Sequence, residues 1–346
     1  MPAFVIGVTR DFLGPDGQLS YRDIGLGLIE REPGLAWRFL DERTDEIRPD
    51  QLTEVDAVLS LTPRWTAASV AGAERLVGIA RFGVGYDTCD VPALTAAGIP
   101  LTLAIGATDL PVASGVLTLM LALSHKILIK DRLVRTGRWH DRARHQGREL
   151  TGATLGLVGF GGIGRALRDL VRPFRMRVLA FDPFASDAQL AELQVERASL
   201  EQLFSESDHV SVHCPLNDQT RGLISAALLG RMKPTAYFYN AARGPIVVEP
   251  DLVAALAAGR IAGAGLDVFA VEPPPADHPL FALDNVILAP HAICWTDECF
   301  QAIGETAVRS LIALAKGERP AGLVNPQVWE SPRLRAKLAA RAGRLA

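Results

Sequence analysis

Three polar side chains in the last third of the chain are of the types that hydride chemistry at a carbinol carbon requires. Arg243 follows the apolar run Tyr237-Phe-Tyr-Asn-Ala-Ala and precedes a Gly-Pro turn. Glu272 stands just past a strand-like stretch and immediately before a proline run, and His291 closes Val286-Ile-Leu-Ala-Pro-His291. A guanidinium binds a carboxylate through two parallel hydrogen bonds and polarises a neighbouring carbonyl oxygen. An imidazole takes the hydroxyl proton during oxidation and returns it during reduction. A carboxylate on the other ring nitrogen fixes the tautomer and strengthens the base, and such acid–base help is typically worth roughly 10²–10⁴ in rate. Singly, each residue type is more often a solvated or satisfied side chain. Their order behind a second motif makes the combination specific.

That motif is Thr154-Leu-Gly-Leu-Val-Gly159-Phe-Gly161-Gly162-Ile163-Gly164, a G-x-G-x-x-G placed directly after a strand-like run and before a helix-like one. Gly159 permits the tight turn, Gly161 lets the backbone approach a pyrophosphate, and Gly164 allows close helix–strand packing. The amides of Gly162 and Ile163 then face the phosphates at the positive end of the helix. The next strand-like run, Arg177-Val-Leu-Ala-Phe-Asp182, ends in an acid 23 residues after Gly159. A carboxylate there accepts hydrogen bonds from both adenosine ribose hydroxyls. It also repels a 2′-phosphate, because like charges about 4 Å apart cost several kcal/mol at an effective dielectric of about 20. No Arg occupies positions 183–186, so NAD is favoured over NADP.

The elements that must position these residues follow from patterning. Short β-branched runs alternate with Ala/Leu-rich stretches almost from end to end, which predicts parallel α/β sheets with ligands at the strand ends. Strands are expected at 4–8, 57–61, 76–81 and 99–102, and again at 154–158, 178–181, 209–213, 237–240, 263–268 and 286–288. A helical stretch over 110–135 connects the two sets, and 296–316 reads as one more helix. At 346 residues, about two domains are expected.

An apolar content of 49% with 22% charged residues excludes a largely disordered chain. The balance of 36 basic against 39 acidic residues gives no footprint for nucleic acid. The N-terminus has no basic region before its strand-like FVIGV, so it does not read as a signal peptide. The longest apolar run, near 111–123, is shorter than the roughly 18 residues a membrane span needs. Four cysteines without a C-x-x-C pair read as reduced intracellular thiols, and the expectation is a cytoplasmic protein. No metal site is expected, since His140-Asp-Arg-Ala-Arg-His145 lacks a convincing ligand set. The stretch 333–344 carries Arg333, Arg335, Lys337, Arg341 and Arg344 without an acid; a solvated or frayed terminal helix is the preferred reading over membrane or partner contact.

With these features in place, the sequence resembles the D-isomer-specific 2-hydroxyacid dehydrogenase family. The resemblance rests on LVGFGGIGRAL (157–167), FDPF (181–184), VHCPLNDQTRGLI (212–224), NAARGPIVV (240–248), AGLDVFAVEPPP (264–275), NVILAPH (285–291) and ARFGVGYDTCDV (80–91). It implies two doubly wound parallel-sheet domains: a Rossmann nucleotide-binding domain at 108–295, inserted into a flavodoxin-like substrate domain built from 1–107 and 296–346. It implies a catalytic triad of Arg243, Glu272 and His291, with Val84 and Gly85 holding the substrate carboxylate. Cys214 and Pro215 would flank adenosine, Ala241 and Ala242 would line the cofactor, and Asp267 would orient the nicotinamide carboxamide. A homodimer through the nucleotide domain is implied, with 110–150 as the dimer arm.

The chain departs from the family pattern at Val112-Ala113-Ser114, where Val-Ala-Glu is frequent, and at Trp295, where small residues usually follow the catalytic His. A Trp there reshapes the substrate pocket. The favoured function is NAD-dependent interconversion of a small D-2-hydroxy acid and its 2-keto acid. The alternatives are a non-catalytic NAD(H)-sensing protein on the same fold, or a phosphite-type dehydrogenase.

Overall fold

The computed structural model describes residues 4–345, the side chains beyond Arg341 excepted. Met1–Ala3 and the Arg344 side chain therefore lie outside the described residues. The chain divides into two compact units. One comprises the chain up to Thr108 together with everything from Trp295 onward, and the other is Asp109–Cys294.

The first unit holds β1 (Phe4–Val8), β2 (Leu35–Phe39), β3 (Ala57–Ser60), β4 (Gly78–Arg81) and β5 (Leu101–Leu103) in the order β2-β1-β3-β4-β5, all parallel. β3 is buried throughout, the signature of a strand covered on both faces. β2 was not expected from the sequence. Its run Leu35-Ala-Trp-Arg-Phe39 is an edge strand with every residue only half-buried, so it lacks the apolar run of a central strand. The helix Asp297–Ala315 begins at Thr296, whose hydroxyl accepts the Cys299 amide.

Of the basic C-terminal stretch, Arg333 and Arg335 are exposed as the sequence suggests, but Lys337 and Arg341 are buried. Within the helix Pro332–Leu345, Lys337 donates from Nζ to the carbonyls of Ala73, Leu76 and Ala97 at 2.9, 3.1 and 3.1 Å. Burial pushes the ammonium down to about 8, with Glu74 opposing the effect and Arg333 adding to it. Arg341 pairs with the fully buried Asp56, which also accepts from Arg75 and the Val5 amide. These cations satisfy backbone and carboxylate oxygens of the unit's own core.

The second unit holds β6 (Thr154–Val158), β7 (Arg177–Phe181), β8 (Glu196–Arg197), β9 (His209–Val212), β10 (Tyr237–Asn240), β11 (Gly263–Leu266) and β12 (Val286–Leu288). Their order, β12-β11-β10-β9-β6-β7-β8, is again all parallel. Alternation along β10 feeds two cores. Tyr237 and Tyr239 pack with the helices Asp109–Ser124 and Gly162–Val171, while Phe238 packs with Leu203, Leu228 and Leu252 on the opposite face. β8, two charged residues at the edge, left no apolar signal to read. Among the described residues no single helix is long and apolar enough to cross a membrane.

His209, on β9, is stacked between Tyr237 and Tyr239, with Nδ1 3.0 Å from the Tyr239 hydroxyl. Burial lowers its pKa to about 4, with Lys233 adding to the effect and Asp208 opposing it. An unfolded chain takes up this proton near the ordinary value of about 6.5, so stability falls as pH drops from there toward 4. The expected slope for this one group is about 1.4 kcal/mol per pH unit. His209→Asn, which keeps a polar atom opposite Tyr239 but cannot charge, should remove that increment from denaturant melts compared at pH 6.5 and 4.5.

Candidate active site

β6 delivers the chain into Gly159, whose φ of +98° lies in the left-handed region. A Cβ there would stand 2.6 Å from the Cys214 amide nitrogen, so both conformation and space require glycine. Gly161 caps the helix Gly162–Val171, and a Cβ on it would meet nothing within 4 Å. The helix thus opens beside Gly161 onto space bounded by its first-turn amides, those of Gly162 and Ile163 among them, with the Asp109 side chain packed against Gly162, and a dinucleotide pyrophosphate fits that cradle. Gly164 packs against the turn, its hypothetical Cβ 2.8 Å from the Gly159 carbonyl oxygen.

Asp182 follows β7 directly. Its Oδ2 accepts the Phe160 amide at 2.7 Å, and its Oδ1 accepts those of Phe184 and Ala185 at 2.8 and 3.2 Å. The carboxylate therefore ties the glycine turn to the neighbouring strand end. Sequence reasoning looked for a cation only at 183–186 and missed Arg197, which donates to the carbonyls of Asp182 and Ala185 and pairs with Asp187. β8 places it there by pairing Arg197 with Ala180, a juxtaposition without a spacing signal.

His291 lies three residues past β12, in the left-handed region with φ of +53°. Its amide donates to the Asp267 carbonyl at 2.8 Å. Asp267 Oδ1 accepts the amides of Ala292 and Ile293 at 2.8 and 3.0 Å, so a buried carboxylate anchors the loop that carries the histidine. Burial raises the Asp267 pKa; the two amides and the His291 charge oppose it without reversing it. Glu272 Oε2 lies 2.7 Å from His291 Nδ1, and Oε1 accepts the Phe269 amide at 3.0 Å. A carboxylate only accepts, so Nδ1 carries the proton of that bond and Nε2 is left for proton exchange. Burial pushes the Glu272 carboxyl up, but the His291 and Phe269 hydrogen bonds and the charges of His291 and Arg243 outweigh it and hold it below the ordinary value.

Arg243 follows β10 on a turn stitched by Asn240, which is buried and was not singled out from the sequence. Asn240 Oδ1 accepts the Ala242 amide and Nδ2 donates to the Arg243 carbonyl, both at 3.0 Å. Ala241 and Ala242 form that turn. Cys214 and Pro215 follow β9, and burial pushes the Cys214 thiol up to about 11, away from any thiolate chemistry. Ile163 packs its side chain on the core beneath the glycine turn. Ser114 bonds back to the Pro111 carbonyl within its own helix.

The other expected residues belong to the first unit. Val84 and Gly85 follow β4 in a loop fixed by the Ala104 amide donating to the Gly83 carbonyl at 2.9 Å. Trp295 is 53% exposed and meets Tyr21 and Phe300 edge-on, at centroid distances of 5.6 and 5.3 Å. Tyr21 stacks on Phe300 at 4.2 Å, so Trp295 stands on an ordered aromatic base whose other members carried no sequence motif.

The family model described as D-isomer specific 2-hydroxyacid dehydrogenase, NAD binding domain, matches residues 117–292. A glyoxylate reductase of Thermofilum pendens is 41% identical over 283 residues, which are 80% of this chain and 83% of that protein. One from Korarchaeum cryptofilum is 38% identical over 310 residues, 88% of this chain and 93% of its own. Among solved structures, the apo D-mandelate dehydrogenase of Rhodotorula graminis superposes with a TM-score of 0.80 at 26% identity, covering 93% of this chain and 98% of that one.

Removing the Asp182 carboxylate tests the glycine-turn site. Asp182→Ala leaves the Phe160 amide without its acceptor and removes the charge expected from the sequence to oppose a 2′-phosphate. NADH should bind about tenfold more weakly, and the preference for NADH over NADPH should narrow, in titrations of nicotinamide fluorescence.

Proposed function

The chain belongs to the D-isomer specific 2-hydroxyacid dehydrogenase family, and on that premise we propose that Arg243, Glu272 and His291 carry out its chemistry on a small D-2-hydroxy acid. The protein is an NAD-dependent oxidoreductase that interconverts a 2-hydroxy acid and its 2-keto acid. The observation that carries the assignment of residues is the 2.7 Å contact between Glu272 Oε2 and His291 Nδ1. It points Nε2 of a neighbouring-carboxylate imidazole outward as a proton donor and acceptor.

NAD(H), when bound, supplies the hydride acceptor or donor. Nε2 of His291 takes the substrate hydroxyl proton in oxidation and gives it to the nascent alkoxide oxygen in reduction. Glu272 holds the ring by its Nδ1–H and so fixes Nε2 as the nitrogen that exchanges the proton. Arg243 binds the substrate carboxylate and polarises the carbonyl. Within the first unit, the amides of Val84 and Gly85 are suited to a substrate carboxylate, and Trp295 to shaping the surroundings of a substrate side group. Gly159, Gly161, Gly162, Ile163 and Gly164 form the pyrophosphate cradle, and Asp182 takes the ribose hydroxyls. Cys214, Pro215, Ala241 and Ala242 line the cofactor, and Asp267, besides anchoring the His291 loop, orients the carboxamide.

A homodimer through the nucleotide-binding unit is supported by Ile127, Leu128, Val134 and Trp139, large apolar side chains left exposed within residues 127–139. Cys89 and Cys214 are reduced thiols, in keeping with a cytoplasmic protein.

NADH consumption against glyoxylate, hydroxypyruvate, pyruvate and larger 2-keto acids tests the reading, with His291→Ala alongside. The variant should lose at least about 10²-fold in kcat while retaining NADH binding. Wild-type protein that binds NADH yet turns over no keto acid would instead favour a sensor. Reduction requires the protonated imidazole, so its rate falls as pH rises, and oxidation rises over the same interval. Against burial, the His291 contact helps hold the Glu272 carboxyl below its ordinary value; by the same coupling, Glu272→Gln should move both profiles to lower pH, and unmoved profiles would sink the partnership.

A further inference from the structure

A second glutamate–histidine pair grips the loop that carries Glu272. Glu249 opens the helix Glu249–Ala257, and His278 caps the short turn Pro279–Ala282. Their side chains are only 19% and 8% exposed, and His278 Nε2 lies 3.0 Å from Glu249 Oε1. His278 Nδ1 accepts the Leu280 amide at 3.3 Å, so the ring proton sits on Nε2 and is donated to the carboxylate. The other oxygen, Glu249 Oε2, accepts the Ala270 amide at 2.9 Å. One residue earlier, the Phe269 amide goes to Glu272 Oε1. Two successive amides of one short loop are thus held by two different carboxylates, and the second of these holds His291. The His278 ring also meets the Phe269 ring edge-on at 5.8 Å.

The Arg243 side of the site is fastened to the same peptide. A Cβ on Gly244 would lie 1.9 Å from the Phe269 carbonyl oxygen and 2.5 Å from the Ala270 nitrogen. The turn after Arg243 therefore lies flat on the peptide that Glu249 fixes, at a separation only glycine allows. The groups that act electrostatically on Glu272 are His291 and Arg243, and Glu272 in turn acts on Asp267; Glu249 faces His278.

We propose that Glu249 and His278 are positioning residues for the reaction: by fixing the Phe269–Ala270 peptide, they set Glu272 against His291 and seat the Arg243 turn beside them. The proposal rests on Glu272 and His291 being the acid–base pair. Neither Glu249 nor His278 is assigned a contact with substrate or cofactor. Their effect comes through placement, where an error of about 1 Å costs on the order of 10²-fold in rate.

Glu249→Gln tests this in the full-length enzyme with NADH and the 2-keto acid that the wild type reduces fastest. The amide keeps the volume but offers one acceptor oxygen, so it can satisfy either Ala270 or His278, not both. We expect kcat to fall about tenfold with KM for NADH unchanged, and the pH profile to move in the direction produced by Glu272→Gln. In the Glu272→Gln background, Glu249→Gln should cost clearly less than the roughly tenfold it costs alone, because the carboxylate it positions is gone and only the Arg243 turn still depends on it. Multiplicative losses in the double variant, or a lowered Tm with an unmoved pH profile, would overturn the proposal. If Glu249→Gln does not fold, His278→Ala breaks the same bond from the other side and is read by the same cycle. Unmoved profiles in Glu272→Gln alone would remove the acid–base assignment, and the proposal with it.

Discussion

A parallel strand cannot reach its neighbour through a tight turn, so the chain has to cross back over the sheet, which it does here through helices that cover both faces. In the seven-stranded sheet this constraint brings the carboxyl ends of the strands to one edge in register. Val158 lies beside Phe181 and Val212, Asn240 beside Val212 and Leu266, and Leu266 beside Leu288. Gly159, Asp182, Ala241 and Asp267 are each the first residue past a strand end, Cys214 the second and His291 the third. Groups up to 132 residues apart in sequence, Gly159 and His291, are thus delivered to a common edge by strand direction alone.

That edge is built of loops, and loops carry amides that no ladder or helix satisfies. Carboxylates meet this need. Asp182 takes three amides, Asp267 takes two, and Glu272 and Glu249 take one each. Hydrogen bonds to a charged acceptor are worth roughly 1.5–3 kcal/mol each. The acids are consequently oriented before any ligand arrives, and the loops owe their shape to the acids. Preorganisation of this kind avoids reorienting dipoles during the reaction.

The sequence made legible whatever a local pattern can encode. Thr154–Val158, Tyr237–Asn240 and Val286–Leu288 stand out as short apolar or β-branched runs between turn residues, and the structure places strands over those spans. The glycine turn is legible because Gly159 needs a positive φ as well as clearance. Arg243, Glu272 and His291 could be picked out as polar residues just past such runs, and the structure joins Glu272 to His291. What escaped were bonds between distant positions. Asn240 stitching its own turn, Arg197 beneath Asp182 and Glu249 with His278 leave no spacing to detect. The tail misled because its charges suggested water. Leu334, Lys337 and Arg341 recur at three- and four-residue intervals, and together they form the buried face of that helix.

The docked tail also bears on the order in which the protein can be completed during synthesis. Asp56 waits for Arg341, the carbonyls of Ala73, Leu76 and Ala97 wait for Lys337, and the Leu101 amide waits for the Asn325 side chain at 3.0 Å. The first unit therefore lacks these partners until the segment 325–341 has left the ribosome. The second unit is encoded without interruption between those halves and has all its strands available well before then. The unit translated in the middle is the one free to fold first.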